Sequence, residues 1–270
     1  MKARLLVAAV GIPFLLAVFL LLPAIATAIL FAVLCGVAVY ELLWPTGYVR
    51  TVRILAVTML AAAVICFLSW KALPALPLQI TAVVFVCYLF AELLIADTKL
   101  DFTAVCAAFF AGIVLPFLLS SVVRILVAEN GRCWIILPFV MTMVPDSGAF
   151  LVGRKLGRHR LAPKISPKKS VEGAVGSVVT GILAVLLYGW ILSLLGFTVN
   201  YFFAALYGLV GAVGSIAGDL VFSTVKRQHG IKDFGNLLPG HGGVLDRFDS
   251  LSVVAPLTEL LLLLIPMAVK

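Results

Sequence analysis

The chain has 270 residues, of which 63% are hydrophobic and only 12% are charged, and its mean hydropathy is +1.21. This composition excludes an ordinary soluble domain, because repeated apolar runs of about 18 or more residues are typical of membrane-spanning helices. The runs are continuous rather than alternating, which also excludes a membrane β-barrel. We therefore predict an all-α polytopic membrane protein.

Nine apolar runs predict nine transmembrane helices. They lie near Leu5–Leu22, Ala24–Trp44, Ile54–Trp70, Leu78–Ala96, Phe102–Leu119, Cys133–Val152, Val171–Leu195, Tyr201–Val225 and Ser250–Val269. Lys2 and Arg4 before the first run are also typical of a signal peptide, with Ala24–Ala28 as its cleavage site. Because the apolar sequence continues past that site, we favour an uncleaved first span.

If the N-terminus is cytosolic and the nine spans cross the membrane in alternating directions, most lysines and arginines lie on the cytosolic side. Sixteen of the twenty then face the cytosol, and the four that do not are Lys71, Arg124, Arg132 and Lys270. Such an excess marks the cytosolic side. We expect a cell (inner) membrane protein with N-terminal helices over 1–130 and a catalytic region over 131–270. The cytosolic loops 153–170 and 226–249 belong to that region.

Three carboxylates lie close to the cytosolic ends of the last two predicted spans. Asp219 is near the end of the eighth span, and Asp246 and Asp249 stand three apart at the start of the ninth, where a helix would place them on one face. A helix cap would account for one of them, Asp249 for example. A carboxylate near the bilayer is costly unless it is paired, binds a cation or faces water. Three carboxylates at the same depth of the membrane would suit a Mg²⁺ ion that also binds substrate phosphates.

Cations and glycines lie between these acids. Lys226, Arg227, Lys232 and Arg247 flank the glycine-rich stretch Pro239–Gly243. Such cations commonly contact anionic lipid, whereas exposed glycine backbone can approach a phosphate. His241 could position a phosphate or hydrogen-bond the turn, and the sequence leaves both open.

A second basic segment precedes the seventh predicted span. Between Gly153 and Ser170 it contains seven lysines and arginines and no acid, which a loop lying on anionic lipid would explain. However, Ser166–Ser170 ("SPKKS") leads directly into a helix for which we expect Ser170 to be the N-cap. A helix N-terminus beside lysines favours polyphosphate binding, and Asp146 adds an acid at the end of the sixth span. These features together indicate phosphoryl or nucleotidyl transfer involving a lipid.

Four glycines form a ridge along one face of the eighth predicted span. Gly208, Gly211, Gly214 and Gly218 would allow another helix to approach closely. The partner helix could belong to the same chain or to the second chain of a homodimer, and the spacing leaves both open.

The polar residues around the last loop follow a spaced pattern. It consists of Ser223, Lys226–Arg227, Lys232–Asp233, Gly235, Leu238–Pro239, His241–Gly243 and Asp246–Asp249. The pattern resembles the signature of the phosphatidate cytidylyltransferases, also called CDP-diacylglycerol synthases, and Ser166–Gly173 ("SPKKSVEG") is similar to the same family. The two motif regions cover about residues 145–250, whereas the first five spans carry no motif that we can match.

The resemblance implies the Mg²⁺-dependent reaction of CTP with phosphatidate to give CDP-diacylglycerol and pyrophosphate, a step of phospholipid biosynthesis. It implies CTP, phosphatidate and membrane lipid as partners, and no nucleic acid. The catalytic candidates are Asp219, Asp246, Lys226, Arg227 and Arg247. The metal candidates are Asp219, Asp246 and Asp249. The substrate-binding candidates are Ser166, Lys168, Lys169, Ser170, Ser223, Lys232, His241, Gly242 and Gly243.

Two other functions compete with this interpretation. A transporter or channel would place its charges near the membrane midplane and show inverted repeats, whereas here the charges gather at one face. A CTP-dependent lipid kinase would need to activate a hydroxyl group and would release CDP rather than pyrophosphate. A CDP-alcohol transferase is disfavoured because its DG…AR…G…D…D pattern does not occur in the chain.

Overall fold

The structure, a computed structural model, describes residues 2–70, 76–95, 101–237 and 242–270. Lys71, Leu238–Pro239 and His241, which appear in the predictions above, lie outside these residues. The helices are α1 (Lys2–Leu21), α2 (Ala24–Leu43), α3 (Val52–Leu68), α4 (Leu76–Leu94), α5 (Phe102–Phe109), α6 (Leu115–Leu119), α7 (Ser121–Val127), α8 (Gly131–Trp134), α9 (Leu137–Leu156), α10 (Val171–Leu194), α11 (Tyr201–Gln228), α12 (Leu245–Phe248) and α13 (Leu251–Leu264). A π-helix (Phe110–Val114) joins α5 to α6, and the strands are β1 (Arg160–Ala162), β2 (Ser166–Ser170), β3 (Thr198–Val199) and β4 (Ala268–Val269).

Among the described residues, six helical segments are long and apolar enough to cross a membrane. They are Ala24–Leu43, Leu76–Leu94, Phe102–Val127, Gly131–Leu156, Val171–Leu194 and Tyr201–Gln228. Their outer faces expose large apolar side chains such as Leu94 and Phe202, as expected where lipid replaces water. The predicted all-α polytopic class is confirmed in this coarse form. The count of nine spans and the cytosolic N-terminus stay predictions.

The last helix is shorter than the sequence suggests. The apolar run predicts a span to Val269, but α13 has 14 residues and ends at Leu264. The backbone of Ile265 lies outside the helical region (φ −143°, ψ 65°), since a residue before proline avoids that region and Pro266 follows it. Ala268–Val269 instead pairs antiparallel with Thr198–Val199.

Asp246 and Asp249 do not share a helix, so the prediction that one helix face carries both is wrong. Asp246 lies in the four-residue helix α12, whereas Asp249 lies in the turn before α13. The Ser250 N–H donates to Asp249 Oδ1 at 2.6 Å, and the Ser250 carbonyl accepts from Val253 and Val254 to begin a new helix. This local pairing favours a turn where the sequence suggested continuous helix.

The chain forms two packing units. The first comprises Met1–Glu129 and Gln228–Phe248, with α2 packed along α3. The second comprises Asn130–Arg227 and Asp249–Lys270, and in it α9 packs along α10 and also contacts α13. The predicted functional division at residue 130 stays a prediction.

The glycine ridge of α11 packs within the second unit. A Cβ added at Gly208 would lie 2.5 Å from Ile182 Cα, and one at Gly218 would lie 2.9 Å from Ser250 Cα. Glycine is needed there because backbone atoms of the neighbouring segments occupy the space of a side chain. The predicted packing role is confirmed, and at these two positions the partner is the same chain.

Candidate active site

A β-hairpin leads the basic segment into α10. Strands β1 and β2 pair antiparallel, and Ser170 is the last residue of β2. Its Oγ accepts a hydrogen bond from the Gly173 N–H at 3.1 Å, so the predicted N-cap is confirmed. The cap directs the chain from strand into helix directly after Lys168 and Lys169.

Glu172 hydrogen-bonds the residues that immediately precede this hairpin. Its carboxylate accepts from the backbone N–H of Arg158 at 3.1 Å and of His159 at 3.3 Å, and lies 2.7 Å from His159 Nδ1. The first turn of α10 is thus tied to the residues that precede β1. The positions of both lysines therefore depend on a braced hairpin rather than on a free loop.

Lys169 and Asp219 form an ion pair that joins β2 to α11. Lys169 Nζ lies 2.6 Å from Asp219 Oδ2, and Ser223 Oγ donates to Asp219 Oδ1 at 3.0 Å. Ser223 is one helical turn after Asp219, on the same face. Three of the predicted site residues, distant by up to 54 positions in the sequence, therefore meet at one carboxylate.

A cavity of about 250 Å³ opens beside this pair. Its polar lining comprises Asp146, Lys168, Lys169, Ser170 and Asp219, which come from α9, β2 and α11. Asp146 Oδ1 accepts from Ser215 Oγ at 2.8 Å, which orients the carboxylate. Ligand pockets commonly measure about 300–1,000 Å³, so this cavity suits a phosphate group and its counter-ion rather than a whole lipid.

Asp249 is a buried member of the same acidic group. It is 8% exposed, and burial raises the pKa of its carboxyl to about 7, with the negative charge of Asp219 adding to the rise. The positive charge of Lys226, itself buried, acts in the opposite direction. These interactions show that the charges of Asp249, Lys226 and Asp219 influence one another.

The remaining candidates have more exposed settings. Ser166 is half-buried at the start of β2, while Arg227 is exposed and its Nε donates to the Ile165 carbonyl at 3.2 Å. Lys232 and Arg247 are exposed and belong to the first unit.

The signature segment, defined as residues 234–248 and described except for 238–241, lies in the first unit. Asp246 Oδ2 accepts from the Phe234 N–H at 2.8 Å and from the Gly243 N–H at 3.0 Å, which ties the two ends of the segment together. Gly242 has φ +82°, a conformation that disfavours any side chain. Asp246 thus has a role in folding the segment that the sequence did not suggest.

Two acids were missed or left without a role by the sequence analysis. Asp146 received no assignment, yet it lines the cavity with Asp219. Glu41 was not considered, although it is the only acid among the first 91 residues and lies in an apolar helix. Its isolation was the signal available, because an ionisable residue in a span usually has a specific partner.

The donors suit a divalent cation that arrives with a phosphate. Among the described residues, no group of three or more His, Cys, Asp or Glu side chains is arranged to hold a metal alone. Mg²⁺ commonly takes only one or two carboxylates and completes its shell with substrate phosphates and water. Asp219 and Asp146, both lining the cavity, provide such oxygen ligands.

Comparison with known proteins agrees with this chemistry. Residues 2–265 match the model of the cytidylyltransferase family. A phosphatidate cytidylyltransferase of Staphylococcus haemolyticus is 38% identical over 135 residues, which cover 50% of this chain and 51% of that protein. A phosphatidate cytidylyltransferase of Mycobacterium bovis is 39% identical over 162 residues, covering 60% and 52%, and the uncharacterized protein YnbB of Escherichia coli is 36% identical over 170 residues, covering 61% and 56%.

The aligned part spans about half the length of these curated relatives. The family match, in contrast, extends over nearly the whole chain. The resemblance noted from the sequence is thereby confirmed at the level of the family. The chain belongs to the cytidylyltransferase family.

Proposed function

We propose that this protein is an integral-membrane phosphatidate cytidylyltransferase, which converts CTP and phosphatidate to CDP-diacylglycerol and pyrophosphate in phospholipid biosynthesis. The observation that carries the proposal is the cavity in which Lys169 pairs with Asp219 beside Lys168, Ser170 and Asp146. It combines cations for a polyphosphate with carboxylates for a divalent metal. Family membership and the names of the relatives support the choice of substrates.

The reaction needs charge neutralisation more than it needs a base. A phosphate oxygen of phosphatidate is already anionic and attacks the α-phosphorus of CTP. The bond from that phosphorus to the oxygen bridging to the β-phosphate breaks, and pyrophosphate leaves with the electron pair. Lys168 and Lys169 would reduce the repulsion between the two anions, and Ser170 at the start of α10 would orient the phosphates.

We also propose Mg²⁺ as the cofactor. Asp219 and Asp146, which line the cavity, would hold it, and Asp249 and Asp246 stay the further candidates that the sequence suggests. When bound, the ion would neutralise the triphosphate and the departing pyrophosphate. Asp219 would be among the residues that hold the cation, and Lys169 beside it would contact a phosphate. Removal of Mg²⁺ with EDTA should abolish turnover, and activity that persists in EDTA would contradict this assignment.

The proposed setting is the inner membrane with the site facing the cytosol, where CTP is available. The excess of cations on one side of the predicted layout supports it. In a cysteine-free background, Lys164→Cys should react with an impermeant maleimide only in inverted vesicles. Arg132→Cys, predicted on the opposite side, should react only in right-side-out vesicles. The reverse pattern would overturn the orientation.

The reaction itself is tested with purified protein in detergent, supplied with phosphatidate, CTP and Mg²⁺. Pyrophosphate and CDP-diacylglycerol should appear together, and both should fall at least about 100-fold in Asp219→Asn. Asp219 would hold the cation that neutralises the transition state, and losing one such stabilising interaction commonly costs this much. Glu129→Gln, which neutralises an exposed acid outside the cavity, should leave the rate unchanged.

The same assay separates the competing functions. CDP as the nucleotide product would indicate a lipid kinase instead. If lipid-reconstituted, folded protein leaves CTP intact, cytidylyl transfer is excluded and transport becomes the better interpretation.

A further inference from the structure

Glu41 is a buried carboxylate in an unfavourable place. It is 2% exposed and lies two residues before the end of α2, a helix of membrane-spanning length. A negative charge in an apolar span is costly, and one near a helix C-terminus is also repelled by the helix dipole. Such a residue needs specific compensation.

The compensation comes from the backbone of the signature segment. The Val244 N–H donates to Glu41 Oε1 at 3.0 Å, and the Leu245 N–H donates to Oε2 at 2.7 Å. The preceding N–H, of Gly243, donates to Asp246. Three successive peptide groups are therefore oriented by two carboxylates, and hydrogen bonds to a charged acceptor are stronger than those between neutral groups.

Two glycines of the signature segment make room for the same carboxylate. A Cβ added at Gly235 or at Gly243 would overlap the Glu41 carboxylate oxygens. Among the described residues, neither is one of the glycines with positive φ, so backbone conformation does not require glycine at these positions. The space taken by Glu41 does.

We propose that Glu41 is a positioning residue that sets the backbone of the signature segment and, through it, the placement of Asp246 and Arg247 for the reaction. This inference rests on the proposed function for its catalytic part. Asp246 follows Leu245 directly, so the carboxylate of Glu41 acts on the peptide next to a proposed metal ligand. It explains why a helix without any recognised motif carries an isolated acid.

Glu92 provides a matched control. It is also a buried carboxylate in an apolar helix of the first unit, 3% exposed in α4. Its Oε2 pairs with the side chain of Arg53 at 2.6 Å, which links α4 to α3. Neutralising Glu92 should therefore affect helix packing, whereas neutralising Glu41 should affect the signature segment.

The test combines amide hydrogen exchange with steady-state kinetics on the full-length protein in detergent. In Glu41→Ala, the amides of Val244 and Leu245 should exchange at least about 10-fold faster, because these two N–H groups lose their acceptor. kcat should fall at least about 10-fold while KM for CTP changes less than about threefold, which is expected when positioning for the reaction is lost. Glu41→Gln retains one acceptor oxygen and should be intermediate, and Glu92→Gln should show neither change.

A double-mutant cycle that combines Gly235→Ala with Glu41→Ala provides a second test, which does not depend on the Glu41→Ala variant alone. Gly235→Ala should reduce kcat in the wild-type background because its methyl group meets Glu41. In the Glu41→Ala background it should add less than about a twofold loss, since contacting residues are not additive. Additive losses would contradict the shared space.

The outcomes separate this inference from the proposed function. A folded wild-type protein that makes no CDP-diacylglycerol overturns the proposed function, while hydrogen exchange still tests the contact. An active wild type whose Glu41→Ala and Glu41→Gln variants retain both kcat and slow exchange overturns the inference alone. A loss of thermal stability with unchanged kcat and KM would show Glu41 to be a packing residue only.

Discussion

The carboxylates of the second-unit cavity and those that contact the signature segment have different kinds of partner. In the cavity, Asp219 is paired with Lys169 and Ser223, and Asp146 with Ser215, all through side chains. Glu41 of α2 and Asp246 of the signature segment accept instead from backbone N–H groups of that segment. The same functional group thus serves two purposes.

The kind of partner therefore helps to assign roles to acids in a membrane protein. A side-chain partner can rotate away and be replaced by a ligand, so a carboxylate held in that way is available for chemistry. A peptide N–H cannot leave without moving the chain, so a carboxylate held by backbone determines local structure. The contacts of Asp246 are with backbone N–H groups, as expected of a structural carboxylate. Our proposal nevertheless also gives it a part in the reaction.

The largest expected effect comes from the side-chain pair of the cavity. Lys169→Met should lower kcat/KM for CTP by about 100- to 1,000-fold, the usual loss when one donor to a developing charge is removed. Lys155→Met removes an exposed lysine in the last turn of α9 and should change it little. Equal, small losses in both variants would show that Lys169 only pairs with Asp219.

Asp246→Asn separates the two roles of that residue. The asparagine oxygen can still accept from Phe234 and Gly243, so hydrogen exchange of the signature segment should stay within about twofold of the wild type. The activity should fall at least about 10-fold, because even groups that only support a metal ligand commonly cost 10- to 100-fold when removed. Full activity would leave Asp246 with a structural role alone. Both carboxylates that accept from the backbone of the signature segment would then be structural.

The smallest expected effect concerns stability and compares one helix from each unit. Gly208→Ala in α11 should destabilise the protein by about 1–3 kcal/mol, because its methyl group meets the backbone at Ile182. Gly36→Ala in α2, where no neighbouring atom lies within 4 Å, should be neutral or stabilise by up to about 1 kcal/mol. Thermal denaturation in detergent measures both, and equal shifts would contradict the close approach at Gly208.

Local features were the easiest to predict from the sequence. Ser170 was recognised as an N-cap because a serine before an apolar helical run has a local partner three residues later. The glycine ridge of α11 was recognised because helical periodicity alone places its members on one face. Asp246 and Asp249 were assigned to one helix by the same reasoning, and the prediction failed since a turn at Asp249 interrupts the periodicity.

Pairings between distant residues were not predictable in the same way. Lys169 and Asp219 were both candidates, but nothing in their spacing indicated that they contact each other. Glu41 was missed because its partners are the peptide groups of Val244 and Leu245, about 200 positions later, and a peptide N–H carries no signal in the side-chain sequence.

The membrane class, the family and the candidate residues follow from the amino-acid sequence, because hydropathy, charge bias and motif spacing are properties of the chain alone. The packed structure was needed to show that Asp219 contacts Lys169, that Glu41 accepts from backbone N–H groups, and that Gly235 and Gly243 leave space for Glu41. The role of a carboxylate depends on the groups that it contacts, and packing can bring those groups from any part of the chain.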